Sequence, residues 1–138
     1  MPSDNGDSND VNSPIRVVIV DDTEDLRALL RAWFAREPDI EVVAEGADGD
    51  VAADLVAEHG ADVVVLDMLM PKVTGLQALP QIKAARPEAA VIMYSSTIAD
   101  HLERAALDSG ADAYLPKSVA WSELVGRVRH FGRARGRH

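Results

Sequence analysis

Three aspartates follow apolar runs in this 138-residue sequence, and their placement suggests a cation site. Asp21 and Asp22 come directly after the run IRVVIV, and Asp67 comes directly after the run DVVVL. If both runs are neighbouring parallel strands, the three carboxylates meet at one edge of a sheet. Like charges this close raise one another's pKa, and Mg²⁺, which prefers carboxylate oxygens, relieves the repulsion. The residues therefore predict a Mg²⁺ site, although Asp21 and Asp22 could instead serve only as helix caps.

Two further polar residues end apolar runs, and they extend the chemistry of this edge. Ser95 follows VIMY, and Lys117 follows AYLP. A metal, a hydroxyl and an ammonium around one aspartate suit a phosphoryl group, because the metal and Lys117 neutralise its oxygens while Ser95 donates a hydrogen bond. Asp67 can then be the nucleophile that forms an acyl phosphate. Taken alone, Ser95 could be an ordinary strand-end hydroxyl and Lys117 a surface lysine, so the joint placement carries the prediction.

Apolar runs and helical patterns alternate five times along the chain, and this alternation predicts the fold that positions these residues. Strands are expected at 15–20, 39–45, 62–66, 90–94 and 112–116, and the helices after the first strand are expected at 26–34, 48–59, 75–85, 98–108 and 119–131. Such a pattern predicts a parallel sheet with helices on both faces. With right-handed crossovers, the sheet order is 2-1-3-4-5, which is an α/β, flavodoxin-like (βα)5 three-layer sandwich.

Several finer features of the helices are also expected. Side chains at helical spacing should face the core: Leu26, Leu29, Leu30, Trp33 and Phe34 in the first helix, Val51 and Leu55 in the second, Leu76, Leu79 and Ile82 in the third, and Leu124, Val125 and Val128 in the fifth. Asp22 or Thr23 should cap the first helix, and Ser118 the fifth. Pro80 predicts a kink or a late start in the third helix, because it removes one helical hydrogen bond.

Composition and charge exclude several classes of protein and indicate where the folded domain begins and ends. There is no cysteine, which excludes a disulfide framework and fits a cytoplasmic location, and no apolar run approaches the roughly 20 residues of a membrane helix. The formal charge of -9 argues against direct nucleic-acid binding by the domain. We expect a disordered segment at 1–14, one folded domain at 15–131 and a basic tail at 132–138 that is solvated, a linker or a docking segment.

Four segments together resemble the receiver domain of bacterial two-component response regulators, a superfamily that includes the chemotaxis regulators. They are VVIVDDTEDLR, VVVLDMLMPKVTG, VIMYSS and AYLPKS, and the resemblance runs from about Ile15 to about Arg129. By position, it implies that Asp67 is the phosphoacceptor. It also implies that Asp21 and Asp22 are the acidic pair that holds Mg²⁺.

The same resemblance implies roles for four other positions. The backbone carbonyl of Leu69 would be a further metal ligand, Ser95 the switch hydroxyl, Tyr114 the switch aromatic and Lys117 the lysine of the pattern. One departure is that Ser118 stands after Lys117, where many receivers have a proline, often with a cis bond.

The resemblance also implies partners and a mode of signalling. The phosphoryl donor would be a phosphohistidine of a sensor histidine kinase or phosphotransfer protein. Phosphorylation would draw Ser95 inward, let Tyr114 swing toward the core and change the face formed by helix 4, strand 5 and helix 5, through which a partner or a second copy could bind. The chain would be a stand-alone receiver, or the N-terminal part of a DNA-binding transcriptional regulator, and would turn over no external substrate.

Two other functions remain as alternatives. The first is a Mg²⁺-dependent phosphohydrolase with an aspartate nucleophile, although such enzymes have D-x-D-x-T after the first strand and this sequence has DDTED. The second is a receiver-like module that binds its partners without phosphorylation, against which the complete acidic set argues.

Overall fold

The computed structural model describes residues 13–96 and 99–134, in which five strands and five α-helices alternate. The strands are β1 (Ile15–Val20), β2 (Ile40–Gly46), β3 (Val63–Leu66), β4 (Ala90–Ser95) and β5 (Ala113–Pro116), and the helices are α1 (Glu24–Phe34), α2 (Ala52–His59), α3 (Gly75–Ala85), α4 (Asp100–Asp108) and α5 (Trp121–Arg133). All strand pairs are parallel, in the order β2-β1-β3-β4-β5, which confirms the predicted topology. Predictions for residues 1–12, 97–98 and 135–138 lie outside the described residues.

The sheet is covered by helices on both faces, so the predicted three layers are confirmed. The central strands β3 and β4 are buried along their whole length, because successive side chains point alternately into two apolar cores. One core includes side chains of α2, α3 and α4, and the other includes side chains of α1 and α5. Among the described residues, none of the helices combines the length and the apolar character that crossing a bilayer requires.

The sequence Gly-Ala-Asp occurs twice where the chain leaves a helix and enters the amino end of a strand. Gly60 ends α2 with φ 59°, and Gly110 follows α4 with φ 111°. Both values lie in the region that favours glycine, because a Cβ would crowd the backbone there. The same corner is therefore built twice, once before β3 and once before β5.

The aspartates of these two corners hold neighbouring strands together. Asp62 Oδ2 accepts the backbone N–H of Arg16 at 2.9 Å, and Asp112 Oδ2 accepts the backbone N–H of Val91 at 2.8 Å. Lys83 Nζ also lies 2.9 Å from Asp112 Oδ2. At the amino end of the sheet, side-chain carboxylates thus continue the hydrogen bonding of the strands.

Two of the residues predicted to face the core are exposed. Leu29 is 42 % exposed, because α1 buries Leu30 and Phe34 and leaves Leu29 at the edge of the buried face. Val51 is 39 % exposed, because it belongs to a 3₁₀ turn (Gly49–Val51) whose tighter winding changes the direction of the side chains before α2 begins. The other predicted core positions are buried or half-buried.

The predicted cap position is confirmed for the first helix and wrong for the fifth. Thr23 is the N-cap residue of α1, although its side chain makes no cap hydrogen bond. Ala120 rather than Ser118 precedes α5, which begins later than predicted. The Lys117–Ser118 bond is trans.

Of the two outcomes expected from Pro80, the late start of the third helix is contradicted, and the kink stays a prediction. α3 begins at Gly75, because Thr74 and Gln77 form a reciprocal capping box, and the helix continues through the exposed Pro80 to Ala85. The other ends of the predicted helices agree to within two residues, except for the start of α2, which a 3₁₀ turn precedes.

The C-terminal end of α5 packs firmly on the body of the domain. The helix extends to Arg133, two residues beyond the boundary expected at 131. A Cβ on Gly132 would lie 2.5 Å from the side chain of Ile15, so only glycine allows this approach. Arg129 forms ion pairs with Glu37 and Asp39, and its Nε lies 2.8 Å from Asp39 Oδ2.

An aromatic cluster joins the start of α5 to the end of α1. The ring centroid of Trp121 lies 5.1 Å from that of Trp33 and 4.7 Å from that of Phe34, and both pairs meet edge to face.

Candidate functional site

The carboxyl ends of β1 and β3 place two of the predicted aspartates side by side. Val20 and Leu66 are paired as the last residues of these strands, and the backbone N–H of Asp67 donates to Val20 O at 2.9 Å. The backbone N–H of Asp21 donates to Gly46 O at 3.0 Å, which fixes it to the end of β2. Both aspartates therefore leave the sheet at the point where the strand order reverses, as predicted.

The three predicted carboxylates form one cluster. One oxygen from each of Asp21, Asp22 and Asp67 can be chosen so that all three lie within 4.8 Å of one another. Asp21 and Asp67 are buried, whereas Asp22 is exposed. The set consists of hard oxygen donors with one side open to solvent, and this suits a cation such as Mg²⁺ that keeps several of its waters.

Lys117 lies at the same edge and contacts both buried aspartates. Its Nζ is 2.8 Å from Asp21 Oδ2 and 3.4 Å from Asp67 Oδ1. Burial by itself lowers the pKa of Lys117, but the hydrogen bond and the charge of Asp21, together with Asp67, raise it above the usual value. The lysine is therefore a charged partner of this cluster at neutral pH and not the surface lysine of the alternative interpretation.

Asp67 has a raised pKa, because the interactions that disfavour its charge outweigh those that favour it. Burial raises the pKa most, the charge of Asp21 raises it further, and Lys117 and the backbone N–H of Leu69 offset part of the increase, leaving a pKa of about 6. The folded protein therefore places a negative charge where the loss of solvation and a neighbouring carboxylate oppose it. A bound cation would remove that opposition, so the residues present fit the predicted metal.

Leu69 lies in the loop between β3 and α3, and its side chain is exposed. The loop after β2 forms hydrogen bonds with the C-terminal part of this β3–α3 loop. Asp48 accepts the backbone N–H groups of Lys72 at 2.9 Å and of Val73 at 2.7 Å. Gly49 donates to Val73 O at 3.2 Å, and a Cβ on Gly49 would lie 2.4 Å from that oxygen. The loop is thus fixed by Asp48 and Gly49, while the Leu69 carbonyl as a metal ligand stays a prediction.

Gly75 brings the start of α3 against the backbone of Asp67. A Cβ at this position would lie 2.1 Å from Asp67 O, and the Gly75 N–H donates to Met68 O at 2.9 Å. Close packing at the site therefore requires glycine at the last position of the segment VVVLDMLMPKVTG.

Ser95 and Tyr114 lie where the predicted switch needs them on the sheet. Ser95 is the buried last residue of β4, and its carbonyl accepts the backbone N–H of Lys117 at 2.8 Å. The alternation of side chains places Ser95 on the same face of the sheet as Met93, whose neighbour on β5 is the half-buried Tyr114. Tyr114 belongs to the core on that face and not to the carboxylate cluster, and the switching role of both residues stays a prediction.

Sequence reasoning missed three residues that support the site. The Thr23 N–H donates to Asp21 Oδ1 at 2.8 Å, and Arg27 Nη1 donates to the Asp21 carbonyl at 2.6 Å. The Tyr94 hydroxyl donates to the Lys117 carbonyl at 3.4 Å, and burial raises the pKa of Tyr94. Spacing places Thr23 and Arg27 shortly after β1, but it does not show that Thr23 contacts the carboxylate of Asp21 and Arg27 its backbone carbonyl.

Comparison with known proteins agrees with this geometry. A family model described as the response regulator receiver domain matches residues 17–129, and the chain belongs to that family. The predicted family and fold are thereby confirmed.

The relatives that match this chain include response regulator proteins. The response regulator protein VraR of Staphylococcus saprophyticus is 35 % identical over 116 residues, which cover 84 % of this chain and 56 % of VraR. This chain therefore spans little more than half the length of that relative.

Two solved structures share the fold. The two-component response regulator of the LuxR family from Aurantimonas is 30 % identical, with a TM-score of 0.82 over 89 % of this chain and 88 % of that one. A chain of the CheX–CheY–BeF3–Mg²⁺ complex from Borrelia burgdorferi is 30 % identical, with a TM-score of 0.80 over 88 % and 91 %.

Proposed function

We propose that this receiver domain accepts a phosphoryl group on Asp67 from a phosphohistidine of a sensor histidine kinase or phosphotransfer protein, in a reaction that requires Mg²⁺. The single observation that carries the proposal is the cluster of Asp21, Asp22 and Asp67 with Lys117 in contact with two of them. Receiver domains generally bind Mg²⁺ through an acidic pocket, and the complex from Borrelia burgdorferi that includes a similar chain also contains Mg²⁺ and BeF3.

The residues that would hold the metal are Asp21, Asp22 and Asp67, with the Leu69 carbonyl as the further ligand implied by the family. When bound, Mg²⁺ supplies positive charge that neutralises the carboxylates and the phosphoryl oxygens. Asp21 is held for this role by the Thr23 N–H and by Lys117, one on each carboxylate oxygen.

The chemical step is a phosphoryl transfer to a carboxylate. With a pKa of about 6, Asp67 is mostly ionised at neutral pH and can act as the nucleophile. An oxygen of Asp67 forms a bond to phosphorus as the bond from phosphorus to the donor imidazole breaks; the imidazole leaves with the electron pair and takes a proton from water. Lys117 neutralises a phosphoryl oxygen, and Ser95 donates a hydrogen bond to another.

The acyl phosphate would change the signalling surface through Ser95 and Tyr114. Drawing Ser95 toward the new oxygens would free space on the face of the sheet that it shares with Tyr114, and Tyr114 would turn inward. The surface formed by α4, β5 and α5 would then bind a partner or a second copy. Because relatives include LuxR-family regulators, we propose that a DNA-binding output is controlled in this way in the cytoplasm, while the domain itself binds no nucleic acid and turns over no external substrate.

Mass measurement tests the proposal directly. The protein is incubated with Mg²⁺ and acetyl phosphate, and wild type should gain one phosphate while Asp67→Asn gains none. Asp54→Asn, which changes an exposed acid on α2, is the matched control and should behave as wild type.

Other outcomes distinguish the alternatives. No gain by a folded wild-type protein with Mg²⁺ present would contradict the proposal and favour binding without phosphorylation. Release of more than one equivalent of phosphate from an added phosphomonoester would instead favour a phosphohydrolase.

A further inference from the structure

We infer that Arg27 is a positioning residue for the cation site, and this inference rests on the proposed function. Its Nη1 donates to the Asp21 carbonyl at 2.6 Å, and its Nε donates to Glu45 Oε1 at 3.1 Å. The side chain is only 15 % exposed, so these contacts are shielded from solvent. Arg27 thus connects α1, the end of β2 and the backbone of a candidate metal ligand.

The carbonyl that Arg27 holds belongs to the peptide group between the two adjacent acids. Asp21 donates its N–H to Gly46, and its carboxylate accepts the N–H of Thr23. Arg27 fixes the remaining polar group of the Asp21 backbone. Because the orientation of this peptide sets where Asp22 leaves the chain, Arg27 helps to hold Asp21 and the exposed Asp22 in the same cluster.

The two contacts require the shape of a guanidinium. Nη1 and Nε point to different acceptors at fixed angles, whereas the ammonium of a lysine is a single point that cannot occupy both positions. The charge is also suitable, since Arg27 and Arg31 share Glu45 and leave a net positive group beside the acidic cluster. Both features favour arginine here, and the geometric feature makes it a positioning residue.

Arg31 provides a matched control on the same helix. Arg31 lies one turn after Arg27 on α1, and its Nη1 contacts Glu45 Oε2. Its side chain is 52 % exposed. Like Arg27→Met, Arg31→Met removes one positive charge and one ion pair with Glu45, but it leaves the contact to the Asp21 carbonyl unchanged. A difference between the two variants therefore reports on that contact.

The experiment compares wild type, Arg27→Met, Arg27→Lys and Arg31→Met as full chains. Calorimetric titration with Mg²⁺ should show about tenfold weaker binding for Arg27→Met, a change within twofold for Arg31→Met and an intermediate value for Arg27→Lys. In metal-free protein, amide hydrogen exchange at Thr23 should be about tenfold faster in Arg27→Met alone, because the Asp21 turn is released.

Each outcome decides between the inference and the proposed function. Equal Mg²⁺ affinity and equal Thr23 exchange in Arg27→Met and Arg31→Met would overturn the positioning role. Full recovery in Arg27→Lys would also overturn it, because charge alone would then suffice; this variant retains the comparison if Arg27→Met does not fold. Failure of wild type to bind Mg²⁺ would overturn the proposed function together with the inference.

Discussion

Aspartates lie at both ends of the parallel sheet, and the two ends use them in opposite ways. At the amino end, Asp62 and Asp112 accept backbone N–H groups from neighbouring strands. At the carboxyl end, Asp21 and Asp67 lie beside each other, and the pKa of Asp67 is raised by burial and by Asp21. The same residue type therefore stabilises one end and carries unfavourable charge at the other.

This difference separates an acid that belongs to the fold from an acid available for chemistry. A carboxylate whose oxygens complete backbone hydrogen bonds favours the folded state in its charged form. A carboxylate that faces another carboxylate opposes folding until a cation or a protein-borne ammonium compensates it. Burial alone does not distinguish the two cases, and the hydrogen-bond partners do.

The largest expected effect is at the amino end. Asp62→Ala should lower the free energy of unfolding by about 2–4 kcal/mol, because it leaves the backbone N–H of Arg16 without its acceptor and removes the carboxylate that lies 4.0 Å from Arg86. Urea unfolding at neutral pH measures this loss. A loss below about 0.5 kcal/mol, the range of ordinary surface changes, would remove the contrast between the two ends.

At the carboxyl end, replacing an aspartate should instead increase the free energy of unfolding. Because the folded pKa of Asp67 is about 6 and the unfolded value is 3.8, its ionisation costs stability as the pH rises between these values. Without metal, Asp67→Asn should therefore increase the free energy of unfolding by about 1–3 kcal/mol above pH 6, and this gain should disappear below about pH 4.

Denaturant unfolding across this pH range, with and without Mg²⁺, tests that prediction. Saturating Mg²⁺ should stabilise wild type and not Asp67→Asn, since the metal binds the folded carboxylate cluster. Destabilisation of metal-free Asp67→Asn at pH 7 would show that Asp67 acts as a structural acid like Asp62.

Removing the compensating ammonium should make the carboxyl end still less favourable to charge. Lys117→Met is expected to raise the pKa of Asp67 by about one unit, because the charge and hydrogen bond of Lys117 both lower that pKa. An NMR titration of the Asp67 carboxyl carbon measures the shift. An unchanged pKa would mean that Lys117 compensates Asp21 alone, in line with its shorter distance to Asp21.

The smallest expected effect is at Asp48, which tests whether partners or location decide the role of an acid. Asp48 lies near the carboxyl end but accepts backbone N–H groups of Lys72 and Val73. Burial raises its pKa, but these hydrogen bonds lower it below the usual value, so its contribution is present above pH 3.8 and lost as the pH falls through the folded pKa.

Asp48→Ala should therefore lower the free energy of unfolding by about 1 kcal/mol at pH 7, with little effect in acid. Asp50→Ala, which changes an exposed neighbouring acid, is the control for thermal or urea unfolding. Stabilisation by Asp48→Ala would mean that closeness to the acidic cluster matters more than the hydrogen bonds.

The sequence predicts the sheet and the acidic cluster because both depend on short-range pattern. The continuous apolar runs of β1, β3 and β4 indicate buried strands, and the residue that follows such a run must lie at the carboxyl edge. The sequence alone therefore suffices to place Asp21, Asp67 and Lys117 together.

Other features depend on relations that spacing does not encode. The exposure of Val51 follows from a 3₁₀ turn, and the start of α5 at Trp121 follows from the length of the preceding turn. The contact from Arg27 to the Asp21 carbonyl depends on the rotamers of a long side chain. The repeated Gly-Ala-Asp corners were visible in the sequence, but their common role appears only when the strands they join are known.

The aromatic cluster has a consequence for spectroscopy. The chain has two tryptophans, Trp33 and Trp121, and both lie in that cluster between α1 and α5. Tryptophan fluorescence therefore reports on a single location, on the face of the sheet opposite Tyr114. A change in tryptophan emission when Mg²⁺ and a phosphoryl donor are added would mean that the contact between α1 and α5 has changed, whereas a rotation of Tyr114 alone would leave that emission unchanged.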